Sequence, residues 1–256
     1  MRGKIAVVTG AAGGIGAAVA RALAADGAVV AAVDRDAAGA RTTADKLVAD
    51  GLAAHAFVAD VSREAEAEAV VAAVEEQLGP VHYLVNAAGV LRLGEAGDFS
   101  EQDWLETFAV NSTGVFLMSR AVVRRMVPRG AGALVTVASN AAGTARTQMS
   151  AYAASKAAAL MFTKCLGLEV ARHGIRCNVV APGSTDTPML HSMWSDETGP
   201  ARTIEGSPEA YKAGIPLRKL ASPTDIADAV HFLLSDRAGH ITLQHLTVDG
   251  GATLGV

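Results

Sequence analysis

The chain is poor in several things at once, and each shortage closes a class of function. Aromatic residues make up only 4% of its 256 residues, and there are only two cysteines, Cys165 and Cys177. Two cysteines build neither a disulfide framework nor a thiolate metal site. Both are expected to be buried as small hydrophobes. Seven histidines occur, but without metal-ligand spacing such as HExxH. Lysine and arginine are not in excess, the net charge is −4, and no basic stripe marks a nucleic-acid surface. No apolar run reaches the roughly 18 residues of a membrane span. The opening Met1-Arg2-Gly3-Lys4 leads into a strand-like run and then glycines, without a signal-peptide cleavage region. A cytoplasmic protein that binds neither metal, membrane nor nucleic acid is the expectation.

What is abundant is alanine, in a chain that is half hydrophobic. Small side chains let helices pack closely on a sheet. Apolar runs expected to be strands fall at 4–8, 28–33, 53–58, 83–85, 133–138, 176–180 and 243–248. Helical patterns alternate with them at 14–25, 37–50, 64–78, 101–126, 151–172 and from Pro223 to about Leu234. Ser222-Pro-Thr-Asp225 supplies an N-cap and a first-turn proline to the last of these. Continuous apolar strands separated by helices imply a parallel sheet covered on both faces. The fold class is therefore α/β, a single-domain, doubly wound, Rossmann-type sheet of about seven strands spanning 1–256. Ligands of such sheets bind beyond the carboxyl ends of the strands.

The strand ends carry the chemistry. After the first comes Thr9-Gly-Ala-Ala-Gly-Gly-Ile-Gly16, in which Gly10, Gly14 and Gly16 lead through Ile15 into a helix. Such a turn lets a pyrophosphate approach the free N–H groups of a helix N-terminus. Asp34 ends the second strand, where a carboxylate accepts from ribose hydroxyls and repels a 2′-phosphate, so NAD is chosen over NADP. Arg35 beside it complicates the choice, because an arginine could pair with that phosphate. Asp60-Val61 ends the third strand, and Asp60 either meets the adenine or caps the following helix. Asn86-Ala87-Ala88-Gly89 offers small residues to a flat ring or sugar. Asn111 stands mid-helix, an unfavourable place unless its amide has a partner. Ser139 ends the fifth strand, and Pro182-Gly183 ends the sixth, with Thr187 shortly after.

Tyr152 and Lys156 lie four residues apart, on one helix face. Bringing a phenol from about 10 to about 7 needs roughly 4 kcal/mol. One ammonium at about 4 Å supplies an energy of that order. A tyrosinate so made would take a proton from an alcohol.

Together these motifs resemble the short-chain dehydrogenase/reductase family over essentially the whole chain. The resemblance implies Tyr152 as general base, and Lys156 as the residue that lowers its pKa and binds the nicotinamide ribose. It implies Ser139 on the reacting oxygen, Asn111 holding a relay water, and Thr187 on the nicotinamide carboxamide. Val85-Asn86-Ala87 stands where many members have Asn-Asn-Ala, which affects only a local backbone contact. It also implies a homotetramer. Segments such as Asn86–Gly94, Val135–Ser139, Met149–Tyr152 and His240–Gln244 are similar to members that aromatise dihydrodiol acids. That likeness implies a dihydroaromatic carboxylate substrate, 2,3-dihydro-2,3-dihydroxybenzoate, oxidised at its C3 alcohol. The analogue with an amino group at C2, trans-2,3-dihydro-3-hydroxyanthranilate, is the alternative. More distant readings are an oxoacyl-thioester reductase, which Asp34 disfavours, and a non-catalytic NAD-binding sensor.

A carboxylate substrate needs a cation. Arg146 is the first candidate and Arg92 the second, since an arginine fork holds a carboxylate in a bidentate way. Gln148 or a lid residue is expected to read the C2 substituent. Residues 184–216 are expected to form a substrate lid, with Met189 and His191 reaching the substrate and Met193 and Trp194 near them.

Overall fold

A computed structural model describes residues 1–255; Val256, at the end of the expected domain and tail, lies outside the described residues. The strands are β1 (Ile5–Thr9), β2 (Val29–Asp34), β3 (Ala54–Val58), β4 (Val81–Asn86), β5 (Gly132–Val137) and β6 (Ile175–Pro182). A short hairpin, β7 (Gly206–Ser207) and β8 (Lys212–Ala213), precedes β9 (His245–Val248). The helices are α1 (Gly14–Ala25), α2 (Ala37–Ala49), α3 (Glu64–Leu78), α4 (Glu101–Phe108), α5 (Gly114–Met126) and α6 (Ser150–Val170). Two short ones, α7 (Pro188–His191) and α8 (Gly199–Glu205), and then α9 (Pro223–Leu234) complete the described residues.

Seven strands form one parallel sheet in the order β3-β2-β1-β4-β5-β6-β9. Alternation along a strand feeds two cores. In β1, Ala6 and Val8 face Val19 and Leu23 of α1 and Ile226, Val230 and Leu234 of α9. Ile5 and Val7 face Val70 and Val74 of α3 and Leu117, Met118 and Val122 of α5. Each side chain is removed from water by a helix whose own apolar stripe needs the same cover. The order reverses between β1 and β4, and their carboxyl ends open a crevice there.

The helix at the chain's far end is capped as the sequence predicts. Ser222 and Asp225 exchange a capping box, with Pro223 at the first helical position. Strand β4 is longer than its apolar stretch because polar residues at either end are themselves paired. His82 accepts from the Ile5 N–H, and Asn86 donates to Ser119.

Two expectations change. The helix predicted over 101–126 is interrupted by a π turn at Ala109–Thr113, which turns the Asn111 amide inward. Just after it, a Cβ on Gly114 would stand 2.8 Å from Val61 Cγ2, so α5 packs hard against the end of β3. The cysteines also differ from each other. Cys177 is buried in β6, and burial pushes its thiol up to about 12, but Cys165 is exposed on α6. Position 165 falls on the side of α6 turned away from the sheet.

Candidate active site

Two adjoining hollows lie over the carboxyl ends of the strands. The first is a groove of about 370 Å³ lined by Gly10, Gly13, Gly14, Ile15, Gly16, Asp34, Arg35, Asp60, Val61 and the 87–90 loop. Gly10 has φ +69°, and a Cβ there would lie 2.8 Å from the Ala87 carbonyl oxygen, so the loop closes only with glycine. Thr9 ties the loop to the end of β4: its hydroxyl donates to the Val85 carbonyl and accepts from the N–H groups of Ala87 and Ala88. Helix α1 begins without a side-chain cap and without an acid in its first turn. Its N-terminal N–H groups and partial positive charge therefore face the groove uncompensated, which suits a phosphate-bearing ligand.

Asp34 stands at the groove's far end. Its carboxylate accepts from the Ala12 N–H and the Asp36 N–H, both at 3.0 Å, which fixes its direction. Arg35 lines the same end. Asp60 does not cap α3. Its carboxylate instead accepts from the N–H and hydroxyl of Ser62, while Arg63 occupies the N-cap position without a side-chain bond. Asp60 also lines the groove, so of its two expected roles the position fits the ligand-facing one.

The second hollow, a cavity of about 340 Å³, shares Ile15, Ala87, Gly89, Thr187 and Met189 with the groove. Ser139, Tyr152 and Lys156 line it together, brought there by the end of β5 and the first turns of α6. Lys156 is buried and donates to the Val137 carbonyl at 3.0 Å. Burial without a counter-charge lowers its pKa to about 8. Gly89 leaves the space: a Cβ there would stand 3.2 Å from Lys156 Nζ and 3.4 Å from Asn111 Oδ1.

Burial raises the pKa of Tyr152, and the contribution that lowers it is a hydrogen bond with Ser139. The Lys156 ammonium lies 5.8 Å from the centre of the tyrosine ring. Desolvation of a phenolate is a contribution that no residue spacing reveals.

Asn111 is fully buried. Its amide donates to the Val90 carbonyl and the Ser155 hydroxyl and accepts from the Val90 N–H. Ser155 in turn donates to the Tyr152 carbonyl, so the π turn, the β4 loop and the first turn of α6 are joined. Asn140 follows Ser139 and donates to Asp249. Asp249 also accepts from the Gly251 N–H and from the N–H and hydroxyl of Thr253. Pro182, Gly183 and Thr187 line the cavity, and the Thr187 hydroxyl caps α7 by accepting from the Leu190 N–H.

The substrate-side expectations divide. Arg146, Gln148, Met189 and Met193 line the cavity. Gln148 holds φ +61°, and its carbonyl accepts from the Gly94 N–H. Arg92 is a correction. It is exposed, absent from the cavity wall, and ion-paired with Asp103 at 3.4 Å and Glu106 at 3.6 Å. His191 is another. Its ring meets Asp186 at 2.6 Å and stacks on Trp194, outside the lining. Trp194 itself donates to Thr203. Residues 184–216 do wall the cavity, through Ser184, Thr185, Leu190, Ala210, Lys212 and Ile215 among others. Lys212 was not expected, because only the β7–β8 hairpin brings it to this wall.

No cluster of histidine, cysteine, aspartate or glutamate suited to a metal ion occurs among the described residues. No helix of the described residues is long and apolar enough to cross a membrane.

A profile of the short chain dehydrogenase family matches residues 4–198. The chain is 57% identical over all of its 256 residues to the 2,3-dihydro-2,3-dihydroxybenzoate dehydrogenase of Bacillus subtilis (strain 168), covering 98% of that protein. It is 47% identical to the vibriobactin-specific 2,3-dihydro-2,3-dihydroxybenzoate dehydrogenase of Vibrio cholerae serotype O1 over 70% of this chain and 68% of the relative. Among solved structures, a gluconate 5-dehydrogenase from Burkholderia cenocepacia J2315, in complex with NADP and tartrate, superposes with a TM-score of 0.92. Their sequences are 32% identical, over 100% of this chain and 97% of that one.

Proposed function

The chain belongs to the short-chain dehydrogenase family, and from that premise we propose that it oxidises 2,3-dihydro-2,3-dihydroxybenzoate to 2,3-dihydroxybenzoate, using NAD. The observation that carries this reading is the full-length 57% identity to an enzyme of that name. The cavity supports it: Ser139, Tyr152 and Lys156 share one wall with Arg146, a cation for the ring carboxylate.

The groove residues Gly10, Gly14, Ile15, Gly16, Asp34, Arg35, Asp60, Val61 and Ala87–Gly89 would hold the cofactor, with Pro182, Gly183 and Thr187 at its reactive end; Asn86, expected there too, is buried behind the loop and bonded to Ser119. When bound, NAD supplies a hydride acceptor and a positive ring that favours ionisation of a nearby phenol. The fixed Asp34 carboxylate, suited to ribose hydroxyls and repulsive to a 2′-phosphate, supports NAD over NADP.

The protein's own groups then manage one proton and one orientation. Ser139 donates to the C3 oxygen of the substrate and holds it toward Tyr152. The Tyr152 phenolate accepts the C3 hydroxyl proton as the C3–H bond breaks and its hydride departs. Lys156, buried on the same cavity wall, would stabilise the negative oxygen and hold the nicotinamide ribose. Asn111 keeps the β4 loop and α6 in register and holds the relay water by which the proton leaves. The C3 ketone so formed loses the C2 proton, gains one on oxygen, and becomes aromatic, which drives the oxidation forward.

Residues 184–216 act as a lid, with Met189 and Met193 against the ring. We place the reaction in the cytoplasm, in siderophore-type biosynthesis. A homotetramer would cover the apolar side chains exposed on α4 to α6, including Leu105, Phe116, Met161 and Leu168.

The test is NADH formation from NAD and 2,3-dihydro-2,3-dihydroxybenzoate, with trans-2,3-dihydro-3-hydroxyanthranilate assayed beside it. Faster turnover of the dihydroxy acid supports the reading. A higher kcat/KM for the amino acid overturns the choice of substrate, and inactivity on both overturns the reaction.

A further inference from the structure

The cavity wall carries three cations, Arg146, Lys156 and Lys212, and no aspartate or glutamate. Lys156 is committed to the Val137 carbonyl and the catalytic wall. The other two have no ion-pair partner among the described residues. The one hydrogen bond of the Arg146 side chain goes to the adjoining Ala145 carbonyl at 3.2 Å. Asp249 is near enough to be felt by Arg146, but its carboxylate already accepts from Asn140, Gly251 and Thr253.

Lys212 is partly withdrawn from water. Burial, and then the neighbouring Arg146 charge, hold its ammonium below the usual lysine range. Two like charges facing one half-desolvated space repel each other, and a ligand anion between them would relieve both that repulsion and the lost hydration.

The aim of Lys212 is set by its backbone. It pairs with Ser207 across the β7–β8 hairpin. The hairpin is pressed onto α8: a Cβ on Gly214 would stand 2.5 Å from the carbonyl oxygens of Ile204 and Glu205. Lys212 does not line the glycine-rich groove, so the anion it faces is not a cofactor phosphate. A cavity of about 340 Å³ suits a single-ring acid.

We infer that Lys212 is a substrate-binding residue that, with Arg146, forms a two-cation cradle for the ring carboxylate. This rests on the proposed dihydrodiol acid reading and adds a residue to it. The cradle is assembled from two separate segments, the loop before α6 and the β7–β8 hairpin, so a carboxylate bound in it also ties the 184–216 segment to the body.

The test is calorimetric. The NAD-loaded enzyme is titrated with 2,3-dihydroxybenzoate and with catechol, the same ring without its carboxylate. The wild type is expected to prefer the acid by at least about tenfold, as a charge-assisted hydrogen bond provides. Lys212→Met is expected to remove about tenfold of that preference and leave catechol binding unchanged, whereas Lys212→Arg keeps most of it. The inference is overturned if Lys212→Met retains the full preference, if it weakens catechol by the same factor, or if the wild type has no preference to lose. Turnover of the dihydrodiol by the wild type is measured in parallel. An inactive wild type whose acid preference still depends on Lys212 would sink the reaction and leave the cradle standing.

Discussion

Asn111 and Val90 are joined by two hydrogen bonds, one in each direction, both 2.9 Å long. The side-chain amide thus behaves as a rung of backbone, binding the loop after β4 to a helix that no strand pairs with. A third bond, to Ser155 at 3.0 Å, carries the connection to the turn that bears Tyr152. Asn111→Ala would leave the Val90 N–H and carbonyl without partners in a buried place. The expected cost is about 2–4 kcal/mol of stability, seen as a lowered denaturation midpoint with an unchanged m-value. Turnover should fall as well, because the loop and the catalytic turn lose their common anchor. A variant as stable and as active as wild type would remove Asn111 from this role.

Tyr152→Phe keeps the ring and its packing and deletes only the hydroxyl proposed as the proton acceptor. A positioned base contributes about 10²–10⁴-fold, so kcat should fall by that factor with the circular dichroism spectrum intact. Retained turnover would exclude Tyr152 as the base.

Lys156 is held in a state that the fold resists. Its pKa in the folded protein, about 8, lies below its ordinary 10.5. Between those values the unfolded chain binds more protons than the folded one, so this group's contribution makes stability rise as pH increases through that window. Below about pH 8 the full cost of burying the charge is present. Lys156→Met should therefore be more stable than wild type at pH 7, by about 1–3 kcal/mol after the lost bond to Val137 is allowed for. The advantage should shrink as pH rises from about 8 and level off above about 10.5, where both states of the wild type carry a neutral amine. The same variant should be nearly inactive, a trade of stability for chemistry that functional sites commonly make. Thermal melts at pH 7 and pH 10 decide it, and a variant less stable at pH 7 contradicts the expectation.

Asp34→Ala removes a charge that is directed by two backbone N–H groups. The preference for NAD over NADP, measured as a ratio of kcat/KM, should fall by at least about tenfold. Arg35, on the same wall, would then be free to meet a 2′-phosphate. An unchanged ratio would move the discriminating role elsewhere.

Much of this site was legible in the sequence because a doubly wound sheet gathers its strand ends at one edge. Gly10, Asp34, Asn86, Ser139 and Pro182 are far apart in the chain, yet each closes a strand, and the sheet brings them together. Two residues on one helix turn, Tyr152 and Lys156, were legible for the same kind of reason. What could not be read depended on contacts without a period. Arg92 and Arg146 are equivalent as letters, and only the two carboxylates of α4 that engage Arg92 separate them. His191 is taken by Asp186, five residues before it. Lys212 reaches the cavity through a hairpin whose strands are two residues each, too short to show a pattern. The pKa of Tyr152 depends on how much water its surroundings exclude, and no spacing rule measures that.

The π turn at Ala109–Thr113 also bears on how this chain tolerates changes of length. A π turn holds one residue more than the regular helix around it. Removing a single residue there would let α4 and α5 run on as one unbroken α-helix, with a better local hydrogen-bond pattern than the protein has now. The flanks, α4 and α5, would keep their faces, but the residues of the turn itself would be redistributed, and the amide that meets Val90 would point elsewhere. In this stretch, regularity and activity are alternatives, and a deletion that improved the helix would disconnect the site.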